Sequence, residues 1–154
     1  MKSFVFVAVV LCALGAASCS KLPPDGQDEA VAAHGSIEVT ARLIEIPGEF
    51  PPNKLYDYAY VLKYQILKVH RGQLSGDTVL VGHYNPLKPR AKAADKRVEG
   101  IGGNLQRFKA GDVHRMALEP SIDEAYMGGT LNEYAEKEKG PVRWAVWTNL
   151  VTQP

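Results

Sequence analysis

The amino-acid sequence predicts a mainly β domain, built as a small five-stranded Greek-key barrel with short helices. Five segments alternate apolar and polar residues with a period of two, which is typical of strands with one face in a core. The second segment is long and apolar on both faces, as in a curved strand of a small barrel. A long insertion rich in glycine and proline separates the third segment from the fourth.

The first strand is predicted over residues 37–43. Apolar residues occupy every second position of this segment, and polar residues lie between them. Ile44 and Ile46 continue the apolar pattern out of phase by one residue, which indicates a β-bulge near 43–44. The Pro-Gly pair at 47–48 then ends the strand.

The second strand is predicted over about 57–71, and its two faces are both largely apolar. One face carries Tyr58, Tyr60, Leu62, Tyr64 and Ile66, and the other carries Ala59, Val61, Leu67 and Val69. A glycine-rich turn at 71–77 leads to the third strand, which is predicted over 78–84.

Two further strands follow the insertion, over 113–118 and 143–148. The long connection at 85–109 contains two prolines and a glycine cluster, with a short helix predicted at 91–99. Residues 123–134 are predicted to be helical in parts. This order of elements predicts an OB-like barrel with a long insertion between strands 3 and 4.

Several short motifs occur in a recognisable order. They are Val-Thr-Ala-Arg (39–42), Tyr60 and Tyr64 before Leu-Lys-Val-His-Arg-Gly (67–72), Gly-Asp-Thr-Val-Leu-Val (76–81) and Phe-Lys-Ala-Gly-Asp-Val-His (108–114). This order resembles the netrin-like, metalloproteinase-inhibitor-like OB domains over roughly 36–118, and the resemblance implies an OB fold. It implies no inhibitory activity, because the eukaryotic members use disulfides and an N-terminal cysteine against a protease metal, and this domain has no disulfide.

The N-terminus has the order of a secretory signal peptide. Lys2 gives a basic start, residues 4–14 are eleven consecutive apolar residues, and small residues then lead to Cys19. Eleven apolar residues are too few to span a bilayer. We therefore predict a signal peptide over 1–18 and export from the cytoplasm.

Cys19 is the predicted lipidation site of a bacterial lipoprotein in the cell envelope, anchored to a membrane and facing the periplasm. Cys12 leaves with the signal peptide, so the mature chain holds one thiol without a disulfide partner, and lipidation explains that thiol. Ser20 in place of Asp resembles lipoproteins sorted to the outer membrane. Ala16 stands where such signals usually carry Leu, Val or Ile, so a soluble secreted or periplasmic protein is the alternative.

Residues 20–35 mix Pro, Gly, Asp and Gln without a sustained period. They predict a flexible linker, with a helical turn around 28–33 and a solvated His34. The predicted organisation is thus a signal peptide at 1–18, the lipidated cysteine and linker at 19–35, and one barrel domain at 36–154.

The charge balance argues against nucleic acid as a partner. Lys2 is the one charge within the signal peptide, so the mature chain has 17 basic and 17 acidic residues, whereas a nucleic-acid-binding protein normally has a basic excess. Residues 85–109 contain seven basic and two acidic residues, and residues 119–139 contain six acidic and two basic residues. The two segments either compensate each other, or the basic one is a patch for an acidic polymer or anionic lipid.

Two histidines are candidates for chemistry. His83 shares a strand face with Val79 and Val81, and His114 alternates with apolar residues in the same way. Imidazole is a common zinc ligand, and a third ligand would have to come from an aspartate or from His70. The alternative is that each histidine forms hydrogen bonds within a barrel end.

The segment from His83 to Arg90 is a candidate binding loop. It contains Tyr84, Asn85 and Lys88, and its two prolines restrict the backbone around these side chains. Preset basic residues in a rigid loop suit an anion or a carbohydrate. The alternative is a turn whose prolines stop edge pairing.

No motif for catalysis or for a cofactor appears. The serines lack the Gly-x-Ser-x-Gly context of a nucleophile elbow, and the glycine cluster at 100–103 is neither a P-loop nor a dinucleotide fingerprint. The first functional hypothesis is a non-enzymatic envelope lipoprotein that binds a protein partner or an anionic polysaccharide. The alternatives are a metal-dependent envelope hydrolase using His83 and His114, or a structural component of an envelope complex.

Overall fold

The computed structural model describes residues 28–54 and 56–152. It is mainly β, with a closed five-stranded barrel, one additional short strand and two short helices, which confirms the predicted fold class. The elements in chain order are α1 (Glu29–Ala32), β1 (Ile37–Glu45), β2 (Ala59–Arg71), β3 (Thr78–Tyr84), a 3-10 turn (Arg90–Lys92), β4 (Val113–Glu119), α2 (Ile122–Ala125), β5 (Thr130–Leu131) and β6 (Arg143–Leu150).

The barrel has the connectivity of a Greek-key barrel of the OB type. Its strands follow the order β1–β4–β6–β3–β2, and β2 closes the barrel by pairing with β1. The neighbouring barrel strands are antiparallel except for β3 and β6, which are parallel. Strand β5 pairs in parallel with the start of β2 and is the edge strand of the described sheet.

The strand predictions agree closely with the structure. Strand β1 extends to Glu45, and its register against β2 shifts between Leu43 and Glu45. This shift confirms the bulge that the out-of-phase Ile44 predicted, and the Ile44 side chain is exposed. Strands β4 and β6 cover the predicted segments 113–118 and 143–148.

Strand β2 is long and pairs with two neighbouring strands, and side chains on both of its faces are buried. Its first half pairs with β3 and its second half pairs with β1. Val61, on the outer face, is fully buried in a small cluster with Leu80 and Tyr134. A side chain outside the barrel is therefore covered by the segment between β4 and β6.

The main core fills the barrel interior. All five barrel strands contribute apolar side chains from alternate positions, and Leu105 and Phe108 of the insertion pack among them. The predicted inward faces are confirmed, since Val39, Leu62 and Val81 are fully buried in this core.

The insertion between β3 and β4 contributes to the barrel wall. Gly102 forms a parallel bridge to Trp147 of β6. The Gly102 N–H donates to the Val146 carbonyl, and the Thr148 N–H donates to the Gly102 carbonyl, both at 2.9 Å. The insertion therefore lies along the part of β6 that does not pair with β3.

The predicted helix at 91–99 is wrong. The chain makes one 3-10 turn at Arg90–Lys92 and then turns at Asp95. The Asp95 carboxylate accepts hydrogen bonds from the backbone N–H groups of Arg97 and Val98. Aspartate side chains compete with helical hydrogen bonds in this way, so the chain turns although its composition favours a helix.

Gly103 is expected to be sensitive to substitution. Its φ is +131°, and a Cβ there would lie 1.9 Å from the Thr148 carbonyl oxygen. We expect Gly103→Ala to lower the free energy of unfolding by about 2–3 kcal/mol, from backbone strain and forced separation of the insertion from β6. Urea denaturation measures this loss. Gly100→Ala is the control for backbone strain, because Gly100 also has positive φ but free space around it. An equal loss at both positions would contradict the steric explanation.

The helical turn predicted around 28–33 is confirmed by α1, but the segment around it packs against the barrel. Val31 is fully buried, and the His34 ring stacks on Trp147 at 4.3 Å between ring centroids. His34 is thus packed and not solvated. The Arg71 side chain also donates hydrogen bonds to the carbonyls of this segment. Residues 28–35, which the sequence placed in the linker, therefore pack against the barrel.

The segment between β4 and β6 is helical only in α2, one turn long, and then forms β5. Ser121 caps α2 by accepting a hydrogen bond from the Asp123 N–H. No helix in the described part of the chain is long and apolar enough to cross a membrane. The predicted signal peptide and Cys19 lie outside the described residues.

Candidate functional site

The structure brings His83 and His114 together inside the barrel. His83 lies near the end of β3 and His114 near the start of β4, and the hydroxyl of Tyr64 in β2 lies between them. The hydroxyl oxygen is 3.0 Å from Nε2 of His83 and 3.2 Å from Nδ1 of His114. All three side chains are fully buried. The alternation of apolar and polar residues predicted an inward position for each of them, and closure of the barrel brings the three side chains into contact.

The Tyr64 hydroxyl carries one proton, so it donates to one imidazole and accepts an N–H from the other. The second nitrogen of each ring, Nδ1 of His83 and Nε2 of His114, is buried without a hydrogen-bond partner among the described residues. One of these nitrogens is therefore a donor and the other an acceptor. The arrangement is a buried polar cluster with two unused hydrogen-bonding positions.

Arg90 turns inward from the insertion and closes one end of this cluster. Its guanidinium carbon lies 5.2 Å from the ring centroid of Phe108, whose ring contacts His83 at 4.6 Å between centroids. Burial lowers the pKa of Arg90 to about 10, so it is still charged at neutral pH. Its guanidinium donates to the carbonyls of Tyr84, Asn85 and Lys88.

The histidines are neutral at physiological pH. Burial lowers the pKa of His114 to about 4, although the nearby Asp112 opposes the shift. Burial, the Arg90 charge and His114 together hold the pKa of His83 well below its usual value. Within the described ranges, no three His, Cys, Asp or Glu side chains come together as a metal site. Nε2 of His83 and Nδ1 of His114 are both hydrogen-bonded to the Tyr64 hydroxyl.

The other residues predicted for the 83–90 loop have structural roles. Asn85 has a φ of +48°, is fully buried and donates from Nδ2 to the Ala93 carbonyl at 3.0 Å. The Tyr84 hydroxyl donates to the Asp95 carboxylate at 2.8 Å. Lys88 is the exposed member, and its ammonium lies 3.5 Å from the Asp57 carboxylate. Binding at this loop would rest on Lys88 alone.

A wide groove lies elsewhere, between the connection from β1 to β2 and the segment around β5. Its central part has a volume of about 720 Å³. The lining is mostly apolar and comes from Pro51, Pro52, Lys54, Tyr56, Asp57, Tyr58, Arg97, Tyr126, Met127, Gly128, Gly129, Thr130 and Leu131. We call this surface the loop groove.

The loop groove has rigid walls and an exposed apolar rim. The Tyr58 hydroxyl donates to the Pro51 carbonyl at 2.5 Å, and the Tyr126 ring stacks on Trp144 at 4.9 Å between centroids. At the rim, Tyr56 is 72 % exposed and Met127 is 97 % exposed. Both of these large apolar side chains line the same groove.

Charged side chains continue the loop groove at both ends. At one end a cavity of about 380 Å³ is lined by Asn53, Lys54, Tyr56, Asp57, Asp95, Lys96 and Arg97. At the other end a cavity of about 500 Å³ is lined by Pro47, Gly48, Glu49, Pro51, Tyr60, Leu131, Glu133 and Lys137. Both end cavities share lining residues with the central part, so the three form one surface.

The loop groove was not predicted from the sequence. Its residues come from three connections, and no strand pattern distinguishes an exposed tyrosine from a buried one. The available signal was local: Pro51-Pro52 and Gly128-Gly129 each lie close to an aromatic residue outside the predicted strands. Two of these connections, between β1 and β2 and between β4 and β6, correspond to the loops through which OB barrels commonly bind ligands.

Searches with family models, curated proteins and solved structures find no match to this chain. The resemblance to netrin-like domains therefore stays a prediction.

Proposed function

We propose that this chain is a non-enzymatic, lipid-anchored protein of the bacterial cell envelope whose OB-like barrel is an interaction domain. In this proposal Cys19 carries the lipid, the barrel faces the periplasm, and the loop groove binds a protein partner. The outer membrane is the favoured location of the anchor.

The observation that carries the proposal is the exposed apolar rim of the loop groove. Tyr56 and Met127 are exposed in the lining of a groove of about 720 Å³. Tyrosine, methionine and arginine are enriched at the centres of protein interfaces, and Arg97 lies beside these two side chains. Fold-level analogy points to the same loops.

The interior cluster supports this function less well. The side chains of Tyr64, His83 and His114 are fully buried. The Arg90 guanidinium donates its hydrogen bonds to carbonyls of its own loop. A catalytic role for His83 and His114 would need a substrate to reach a packed core. The cluster is better explained as part of the folded core.

The lipid anchor is tested by the mass of the intact protein. We expect the full-length chain, expressed in a bacterial host and purified from membranes, to begin at Cys19 and to carry diacylglycerol and acyl chains. Cys19→Ala should abolish this modification. An unmodified wild-type chain beginning near residue 19 would contradict the anchor and indicate a soluble secreted protein.

The interaction is tested by photo-crosslinking in membranes. A photoreactive phenylalanine at position 56 or 127 should give the same protein adduct, and soluble wild-type domain should compete with it. Competitor carrying Tyr56→Ser and Met127→Ser should not compete. Leu67, 46 % exposed on β2, is the matched control position. Equal adducts at 56, 67 and 127, or competition by the double variant, would contradict binding in the loop groove.

A further inference from the structure

We propose that the partner segment in the loop groove is an extended polypeptide with apolar residues at its centre and acidic residues at the end that meets Arg97. This inference rests on the proposed function, and it adds the chemistry and the direction of the bound segment. It follows from the charges at the two ends of the groove and from the edge strand beside it.

One end of the loop groove has cations without partners. The side chains of Lys54, Lys96 and Arg97 form no ion pair or hydrogen bond among the described residues, and all three residues are exposed. They surround a cavity of about 380 Å³. Three unpaired cations at one rim favour an anionic group on the ligand.

The carboxylates at that end are already engaged. Asp57 accepts a hydrogen bond from Asn53 at 2.7 Å and lies 3.5 Å from the Lys88 ammonium. Although burial acts in the opposite direction, hydrogen bonds from the Tyr84 hydroxyl and from two backbone N–H groups lower the pKa of Asp95 to about 2. Asp95 thus stays ionised, and both carboxylates already have partners within the protein. The lining of this end holds three cations against these two carboxylates, so the excess charge is positive.

The opposite end of the loop groove has the opposite character. Glu49 and Glu133 are exposed there, with Lys137 as the one cation in the lining. A polysaccharide with a negative charge on every repeat would meet these carboxylates unfavourably. A polypeptide can place acidic residues at one end and neutral or basic residues at the other, so the charge pattern favours a polypeptide.

The edge strand favours an extended segment. Strand β5 pairs with β2 on one side and has no strand on its other side in the described sheet. Thr130 and Leu131 of β5 line the central part of the groove. A segment lying along β5 can use its free backbone groups while Tyr56, Tyr126 and Met127 contact its side chains.

The test is peptide selection on the intact mature protein in detergent, with a phage-displayed library of random 12-residue peptides. We expect enriched peptides to combine aromatic or aliphatic residues with Asp or Glu on one side. Their synthetic forms should bind at least about tenfold more weakly when the acidic residues become Asn or Gln.

The matching protein variant is Lys54→Gln, Lys96→Gln, Arg97→Gln, which should weaken binding of the acidic peptides by about tenfold or more and reduce its salt dependence. The control is Lys92→Gln, Lys109→Gln, Lys139→Gln, with the same change in net charge at exposed positions outside the groove. This control variant should bind the acidic peptides with an affinity within about twofold of that of the wild type, because salt screens exposed charges that lie far from the groove.

The other outcomes separate this inference from the proposed function. Peptides that need Tyr56 and Met127 but show no acidic preference would overturn the charge assignment and leave the groove as an interaction site. A polyuronate oligosaccharide that displaces every selected peptide from the groove would overturn the polypeptide assignment. Absence of enriched peptides, or binding unchanged by Tyr56→Ser with Met127→Ser, would overturn the proposed function itself.

Discussion

Glu38→Leu should lower the free energy of unfolding by about 3–5 kcal/mol. Glu38 of β1 accepts two hydrogen bonds from Arg115 of β4, with Nη2 at 2.6 Å and Nε at 2.8 Å from the same carboxylate oxygen. Both side chains are only 5 % exposed. Arginine does not lose its proton in proteins, so the variant leaves a buried charge without its carboxylate.

The double variant Glu38→Leu with Arg115→Met separates the buried charge from lost packing. Since it removes both charges, it should recover most of the lost stability. The partly exposed pair of Lys63 and Glu138, at 2.5 Å and with side chains 23 % and 32 % exposed, is the comparison. Lys63→Met should lower stability less than Glu38→Leu does, because water reaches both charges. Equal losses for Glu38→Leu and Lys63→Met in urea denaturation would refute the argument.

The strands were predictable because their pattern is local. Alternation in 37–43 shows directly which side chains face the core, and the phase change at Ile44 shows where the register shifts. The two apolar faces of β2 carried further information, because a strand covered on both sides must bend between two neighbours. These signals need no knowledge of which distant segments meet.

The insertion was harder to predict because its structure depends on distant partners. Residues 91–99 have a composition that suits a helix, but the Asp95 carboxylate accepts hydrogen bonds from two backbone N–H groups, and the chain turns there. The need for glycine at positions 102 and 103 comes from their close approach to β6, which the local sequence does not show. Arg90 was predicted to meet a ligand because Pro86 and Pro89 restrict the backbone of its loop, yet its guanidinium donates to carbonyls inside that loop.

The candidate sites depend on barrel closure in different ways. The sequence placed His83 and His114 on inward faces, and it could not show that Tyr64 lies between them, since these residues are 19 and 50 positions from it. The loop groove draws on three connections, and exposure of Tyr56 or Met127 is a property of the assembled surface. The loop groove could therefore not be predicted from local sequence patterns.

The barrel should lose stability in acid because of its buried histidines. The pKa of His114 is lowered to about 4 by burial, whereas an unfolded histidine has a pKa near 6.5. Between these values the unfolded chain binds a proton that the folded chain does not, so stability falls as the pH falls. His114 alone should account for a loss of about 2 kcal/mol between pH 7 and pH 5, and His83 should add to it because its pKa is shifted in the same direction.

His114→Gln is the variant that tests the source of this loss. Glutamine does not titrate and can still form a hydrogen bond to Tyr64, so the free energy of unfolding should fall less steeply from pH 7 to pH 5, by about 2 kcal/mol. Urea denaturation at several pH values gives the slopes of the wild-type and His114→Gln chains. If His114→Gln keeps the wild-type slope, the protonated His114 is tolerated in the core, and the cluster around Tyr64 must then open to water in acid while the barrel stays folded.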